Sequence, residues 1–295
     1  MMAQKLKPPI ILIGNHRSGT SLTQQLFGLH PAVVTWHEPR TIWRYADPGR
    51  IHDAFDESDA SEDVVRYIRG RFLKYQLQHG DRRIMEKTPS NILRVPFVHK
   101  VFPDAKYLYV TRNALSCMAS AELKWDKIKR TKTWSAVRRS LSDAPLTQLH
   151  YYAGDFLDHM VVRKVWQSKD LLVTGPRYKG MDQDLKEHGI LRVLARQWAR
   201  CNRQAREDLA RLGKGRVCTF RYEDLIQDPP SVLRRAFEHC ELNYDDSVIR
   251  AAREMIDPGR QEKWLRLDHD ELREIIPEIR DEMEAYGYEI PQALR

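Results

Sequence analysis

The chain has 295 residues, 42% hydrophobic and 31% charged, and a net charge of +8. That length and balance support a full hydrophobic core in one large domain or two small ones, with a single domain over 1–295 as the expectation, and exclude an intrinsically disordered chain. The basic excess points to an anionic partner, whether nucleotide, nucleic acid, acidic glycan or membrane surface, without choosing among them.

Behind a polar, lysine-containing start, the first apolar run is Ile10–Ile13, too short for a signal core or a membrane span. No later segment reaches spanning length, so the expectation is a soluble, cytoplasmic protein. The four cysteines, Cys117, Cys201, Cys218 and Cys240, are widely spaced with no CxxC and no metal-ligand pattern. They read as reduced packing thiols.

Pro9 to Gly14 is a short continuous apolar run ending in glycine, the pattern of a strand buried on both faces. A polar loop follows, then Leu22, Leu26 and Leu29 at helical spacing. Val33-Val34 is a second β-like run. Ser61-Glu62-Asp63 reads as a capped, acidic helix start, with Val64, Val65, Ile68, Phe72 and Leu73 on one face. Arg83–Glu86 is a short strand, Thr88-Pro89 a helix start, and Lys106–Thr111 a strong strand leading directly into a helical pattern.

The stretch from about 124 to 189 is weakly patterned and reads as an irregular helical insertion, a usual place for a variable substrate wall. Ile190–Leu212 reads as a long helix whose Arg192, Arg196, Arg200, Arg203 and Arg206 suit a solvated face. Arg216–Phe220 is a further strand, Asp228-Pro229-Pro230 caps a helix over Ser231–Cys240, and Asp268–Tyr288 is helical with a proline kink at Pro277. Strands alternating with helices predict an α/β fold, a parallel sheet flanked by helices with ligands at the carboxyl ends of the strands.

Gly14-Asn15-His16-Arg17-Ser18-Gly19-Thr20-Ser21 lies between the first strand and its helix. Small and glycine residues there let backbone N–H groups converge on an anion at a helix N-terminus. The spacing fits the P-loop frame G-x-x-x-x-G-K-[ST], except that Thr20 stands where an ATP or GTP enzyme carries its lysine. A cation, Arg17, lies inside the loop instead.

His16 to Leu22 resembles the 5′-phosphosulfate-binding loop of the sulfotransferase family, Pro-Lys/Arg-Ser-Gly-Thr-Thr/Ser-x, with His16 in place of the proline. Thr111-Arg112 through Ser120 is similar to that family's 3′-phosphate motif, an arginine after a strand and a serine eight residues on. Ala114 and Ser116 replace the motif's usual Pro and Asp. Arg112 leaves the strand end as a forked donor suited to a dianionic phosphate. Phe220-Arg221-Tyr222-Glu223-Asp224-Leu225 resembles the family's Tyr-Glu-Asp-Leu segment. Gly259-Arg260 and Trp264-Leu265-Arg266 are loosely similar to the basic segment that closes over the nucleotide.

The resemblance implies 3′-phosphoadenosine 5′-phosphosulfate as co-substrate, no metal, and binding by Arg17, Ser18, Gly19, Thr20, Ser21, Arg112, Ser120, Tyr222 and Arg260, with Glu223 and Asp224 as caps. Glu38, in Trp36-His37-Glu38-Pro39-Arg40, stands where the glycan-type and tyrosylprotein-type enzymes carry a catalytic base. Glu86-Lys87-Thr88-Pro89 resembles the glycan-type Glu-Lys-Ser/Thr-Pro segment, with Lys87 facing the transferred group. The catalytic set is then Arg17, Glu38 and Lys87, with His37 and His16 as alternative bases. A salt bridge from Glu38 to Arg40 or Arg44 and a solvated Lys87 are the plainer readings of the same residues.

The resemblance implies an acceptor hydroxyl on a glycan, lipid, peptide tyrosine or small molecule, with no nucleic acid expected. Two other functions stay open: a P-loop nucleotide kinase or ATPase, and a non-catalytic polyanion binder resting on the net charge.

Overall fold

The computed structural model describes residues 5–128, 175–244, 246–256 and 263–295. Most of the expected insertion, and Arg260, lie outside the described residues. Five strands, β1 (Ile10–Gly14), β2 (Val33–His37), β3 (Arg83–Lys87), β4 (Lys106–Thr111) and β5 (Val217–Arg221), form one parallel sheet in the order β2-β3-β1-β4-β5. The helices are α1 (Thr20–Gly28), α2 (Arg40–Trp43), α3 (Glu62–Gln78), α4 (Val95–Val101), α5 (Ala114–Ile128), α6 (Met181–Glu187), α7 (Ile190–Ala210), α8 (Tyr222–Gln227), α9 (Pro229–His239), α10 (Asp246–Met255) and α11 (His269–Ala285).

The chain leaves central β1, fills β2 and β3 on one side, then crosses to β4 and β5 on the other. This reversal puts the carboxyl end of β1 at the topological switch point, the place where open α/β sheets bind ligands.

The continuous apolar strands are explained by two cores, one on each face. Ile11, Ile13, Tyr107 and Tyr109 pack with Phe72 of α3, Val98 of α4, Trp198 of α7 and Ile276 of α11. Alternate residues Ile10, Leu12, Leu108 and Val110 pack with Leu26 and Phe27 of α1, Phe237 of α9 and Val248 of α10. Successive side chains on a strand face opposite ways, so burial on both faces requires apolar residues at every position. The caps follow the sequence: Ser61, Asp228 and Asp268 each accept from the first turn of α3, α9 and α11. Helix α11 continues through Pro277.

Two expectations are revised. Leu29 caps α1 rather than joining its buried face and is 46% exposed, because the helix ends one residue earlier. The arginine row of α7 keeps a solvated side, with Arg200, Arg203 and Arg206 exposed, and is also an interface with α11. Arg196 meets Glu278 at 2.9 Å, while Arg203 and Arg206 meet the buried Glu282 of α11 at 2.9 and 2.8 Å.

Candidate active site

Helix α1 starts from a loop with two left-handed residues, Arg17 (φ 67°) and Gly19 (φ 94°). Ser18 closes the loop: its amide donates to Asn15 O at 3.2 Å and its hydroxyl to the same oxygen at 2.7 Å. Thr20, Ser21 and Leu22 open the helix, so their N–H groups have no intrahelical acceptor. No acidic residue sits in this first turn and no side chain caps it. The result is a concave set of amide donors at the positive end of a helix, suited to an oxyanion.

Arg112 leaves the end of β4 and reaches this loop. Its Nη1 donates to Arg17 O at 3.0 Å, and its guanidinium lies 4.4 Å from the centre of the Tyr222 ring. Arg17 in turn donates from Nε to Ser120 Oγ at 2.9 Å. Tyr222 begins α8 with its ring against Gly19. The fold therefore brings Arg17, Gly19, Arg112, Ser120 and Tyr222, from four separate segments, into one cluster.

Two further residues hold this cluster: Trp198, to which the sequence assigns no role, and Glu223, expected there as a cap. Trp198 Nε1 of α7 donates to Arg112 O at 3.0 Å. Glu223 accepts from Asn113 N at 3.1 Å and from Tyr288 OH at 3.0 Å, so it ties the turn after β4 to the chain beyond α11. The apolar spacing of Leu194 and Trp198 marks a core face, but a bond to a distant backbone carbonyl leaves no trace in sequence. Asp224, in the first turn of α8, pairs with the Arg221 guanidinium at 2.8 Å.

On the other side of the loop, β2 and β3 deliver a second group. Their parallel register sets His37 opposite Lys87, and Glu38 N donates to Lys87 O at 3.0 Å. Lys87 is 2% exposed, and its Nζ lies 2.8 Å from Glu38 Oε1 and 3.5 Å from Ser21 Oγ. Lys87 is thus not a solvated loop lysine. Arg40 donates to Glu38 Oε2 from Nε at 3.0 Å and from Nη2 at 2.5 Å. Burial pushes the Glu38 carboxyl up, but Arg40, Lys87 and His37 together hold it at about 2. Glu38 is also left-handed (φ 50°), a conformation that costs a non-glycine residue energy and is concentrated at functional sites.

Glu86 points the opposite way from Lys87, into the core. It accepts from Trp43 Nε1 at 3.0 Å, Thr88 Oγ1 at 2.5 Å and Asn91 Nδ2 at 2.8 Å. Burial pushes its carboxyl up to about 7 against those donors. The Thr88 hydroxyl is used here rather than as a helix cap. Of the alternative bases, His37 lies beside Glu38, whereas His16 packs against Gly175, where an added Cβ would sit 2.8 Å from His16 Cβ.

The arrangement joins an anion cradle to an ion pair between a buried ammonium and a partly exposed carboxylate. It can bind a phosphorylated group, neutralise charge on a group transferred from it, and present a carboxylate to the receiving molecule. Among the described residues, no helix is long and apolar enough to cross a membrane.

Comparison with known proteins agrees with this chemistry. The chain is 22% identical over 257 residues to an uncharacterized protein of Aquifex aeolicus, covering 82% of this chain and 26% of that protein. It is 28% identical over 123 residues to protein-tyrosine sulfotransferase 1 of Danio rerio, covering 38% of this chain and 35% of the relative. The matches thus span about a quarter to a third of those relatives' own lengths.

The fold is similar to the sulfotransferase domain from the curacin biosynthetic pathway, with a TM-score of 0.59 at 15% identity over 97% of this chain and 100% of the other. It is also similar to the sulfotransferase domain of the Synechococcus PCC 7002 olefin synthase, with a TM-score of 0.55 at 15% identity over 99% and 98% of the two chains. The sulfotransferase family model matches residues 8–168 and 158–246, and the chain belongs to that family.

Proposed function

We propose that this protein transfers a sulfuryl group from 3′-phosphoadenosine 5′-phosphosulfate to a hydroxyl acceptor. The observation that carries the reading is Lys87, a buried ammonium reaching both Ser21 of the anion loop and Glu38 beyond it. A group moving from the loop toward Glu38 passes this cation.

In this reading Arg17, Ser18, Gly19, Thr20 and Ser21 take the 5′ side of the nucleotide, Arg112 and Ser120 the 3′-phosphate, and Tyr222 the adenine. Arg260 completes the cover. Arg17 and Lys87 offset charge on the bridging oxygen and the moving group, and Glu38 receives the acceptor's proton. The co-substrate supplies the activated sulfur; positioning and electrostatics are the protein's part. The acceptor is a hydroxyl on a glycan, lipid, tyrosine or small molecule. Four free, buried cysteines suit a reducing compartment, here the cytoplasm.

The test is ligand-linked stabilisation followed by transfer. Adenosine 3′,5′-bisphosphate should raise the melting temperature well above ADP or ATP with magnesium. Label from phosphosulfate should then appear on a hydroxyl acceptor. Equal shifts for all three nucleotides would reject the site assignment. Magnesium-dependent turnover of ATP would favour the kinase alternative.

A further inference from the structure

Helix α1 runs beside the end of β2, and Gln24 turns its buried amide onto that end. Its Nε2 donates to Trp36 O at 3.1 Å, and its Oε1 lies 2.9 Å from His37 Nδ1. A backbone carbonyl only accepts, so the amide nitrogen must face Trp36 O and the amide oxygen must face His37. That oxygen also only accepts, so the hydrogen of the imidazole is on Nδ1. A neutral imidazole has one N–H. The lone pair is therefore on Nε2, the nitrogen that lies 3.8 Å from Glu38 Oε1.

Glu38 is well placed to meet an acceptor hydroxyl but is a poor resting place for its proton. Arg40 and Lys87 share its carboxylate and hold it well below the usual carboxylate range. An imidazole is intrinsically a stronger base than a carboxylate, so a proton on Glu38 gains by moving to His37.

We propose that His37 is the terminal proton acceptor of the transfer, acting through Glu38, and that Gln24 positions it by fixing its tautomer. The proposal rests on the sulfuryl-transfer reading and adds the proton's route. As the acceptor oxygen bonds to sulfur, the bond from sulfur to the bridging oxygen of the nucleotide breaks. The acceptor's O–H bond also breaks, its proton going to Glu38 and then to His37 Nε2. Glu38 ends ionised beside an imidazolium, and that opposite charge closes the 3.8 Å gap. Glu38 faces His37 directly, Arg40 and Lys87 share its carboxylate, and neutral Gln24 holds the far ring nitrogen.

The first measurement is nitrogen NMR of the histidine rings. His37, one of eleven histidines, is identified by the signals lost in His37→Asn. Above neutral pH its proton is expected on Nδ1 in the wild type and on Nε2 in Gln24→Leu. The second is the single-turnover transfer rate against pH. In the wild type it should fall tenfold per pH unit below the imidazole range, because a protonated His37 accepts nothing. In His37→Asn it should be about ten- to a hundredfold lower and flat across that range.

The His37 side chain is 54% exposed, so this substitution spares the fold, and an unchanged nucleotide-induced thermal shift checks that. A wild-type proton on Nε2, or a wild-type acid limb in His37→Asn, overturns the proposal. A wild type that transfers nothing while His37 carries its proton on Nδ1 refutes the reaction and the proton route together, and leaves only the hold of Gln24.

Discussion

The ring of Tyr222 fills the space that a side chain on Gly19 would need: an added Cβ would lie 2.2 Å from Tyr222 Cδ2. Gly19 also has φ 94°, which strains any L side chain. Gly19→Ala should therefore lose roughly 2–4 kcal/mol of stability in denaturant, combining left-handed strain with overpacking. Adding Tyr222→Ala should relieve the overpacking but not the strain, so the losses should be less than additive. A Gly19→Ala protein as stable as wild type would mean that the ring does not rest on the loop.

Arg112 should decide which nucleotide binds. Its guanidinium approaches the loop at Arg17 O, and Trp198 holds its backbone carbonyl. A charge-assisted hydrogen bond contributes about 1.5–3 kcal/mol, so Arg112→Ala should weaken adenosine 3′,5′-bisphosphate by about ten- to a hundredfold. Binding of nucleotides without the 3′-phosphate should change much less. Titration calorimetry of both ligand types distinguishes this outcome from a uniform loss, which would make Arg112 a loop support alone.

Arg17 should behave differently. Its side chain is held toward the site by Ser120 at 2.9 Å, and its backbone is the left-handed corner of the loop. If it offsets charge that grows on the bridging oxygen, Arg17→Ala should lower turnover by more than it lowers nucleotide affinity. Steady-state kinetics with an independent dissociation constant decides it. Normal turnover with poorer affinity would restrict Arg17 to binding.

Much of this site was legible because local sequence carried it. β1 and β4 are apolar at each buried position, and the loop residues follow a spacing set by the strand-to-helix turn. β2 was legible only at Val33-Val34. Its Thr35, Trp36 and His37 are strand because β3 pairs with them, which is tertiary information. Helix α10 was not read from sequence, and its Val248, Ile249 and Ala252 are buried where it packs on α1 and α9. The arginine row of α7 was visible, as were Glu278 and Glu282 of α11, but their pairing depends on how the two helices cross. The same limit hid Gln24 and Trp198. Each acts through a hydrogen bond to a backbone carbonyl brought near only by folding.

Glu38 links activity to acid stability. Its pKa is depressed from 4.5 to about 2 in the folded protein, so it contributes stability above the unfolded value, which is lost as pH falls from about 4.5 toward 2. Glu38→Gln removes that dependence while leaving a neutral acceptor for Lys87 and Arg40. The variant should be less stable than wild type at neutral pH, and the difference should shrink as both are acidified through this window. At neutral pH it should bind nucleotide normally yet lose about two to four orders of magnitude in transfer rate, because an amide cannot accept the acceptor's proton. Chemical denaturation at pH 7 and pH 3, with single-turnover assays at pH 7, tests both halves. A Glu38→Gln protein transferring within a few-fold of wild type would leave the carboxylate a structural partner of Lys87 only. A loss that does not shrink in acid would mean that the Lys87–Glu38 contact contributes nothing through its charge.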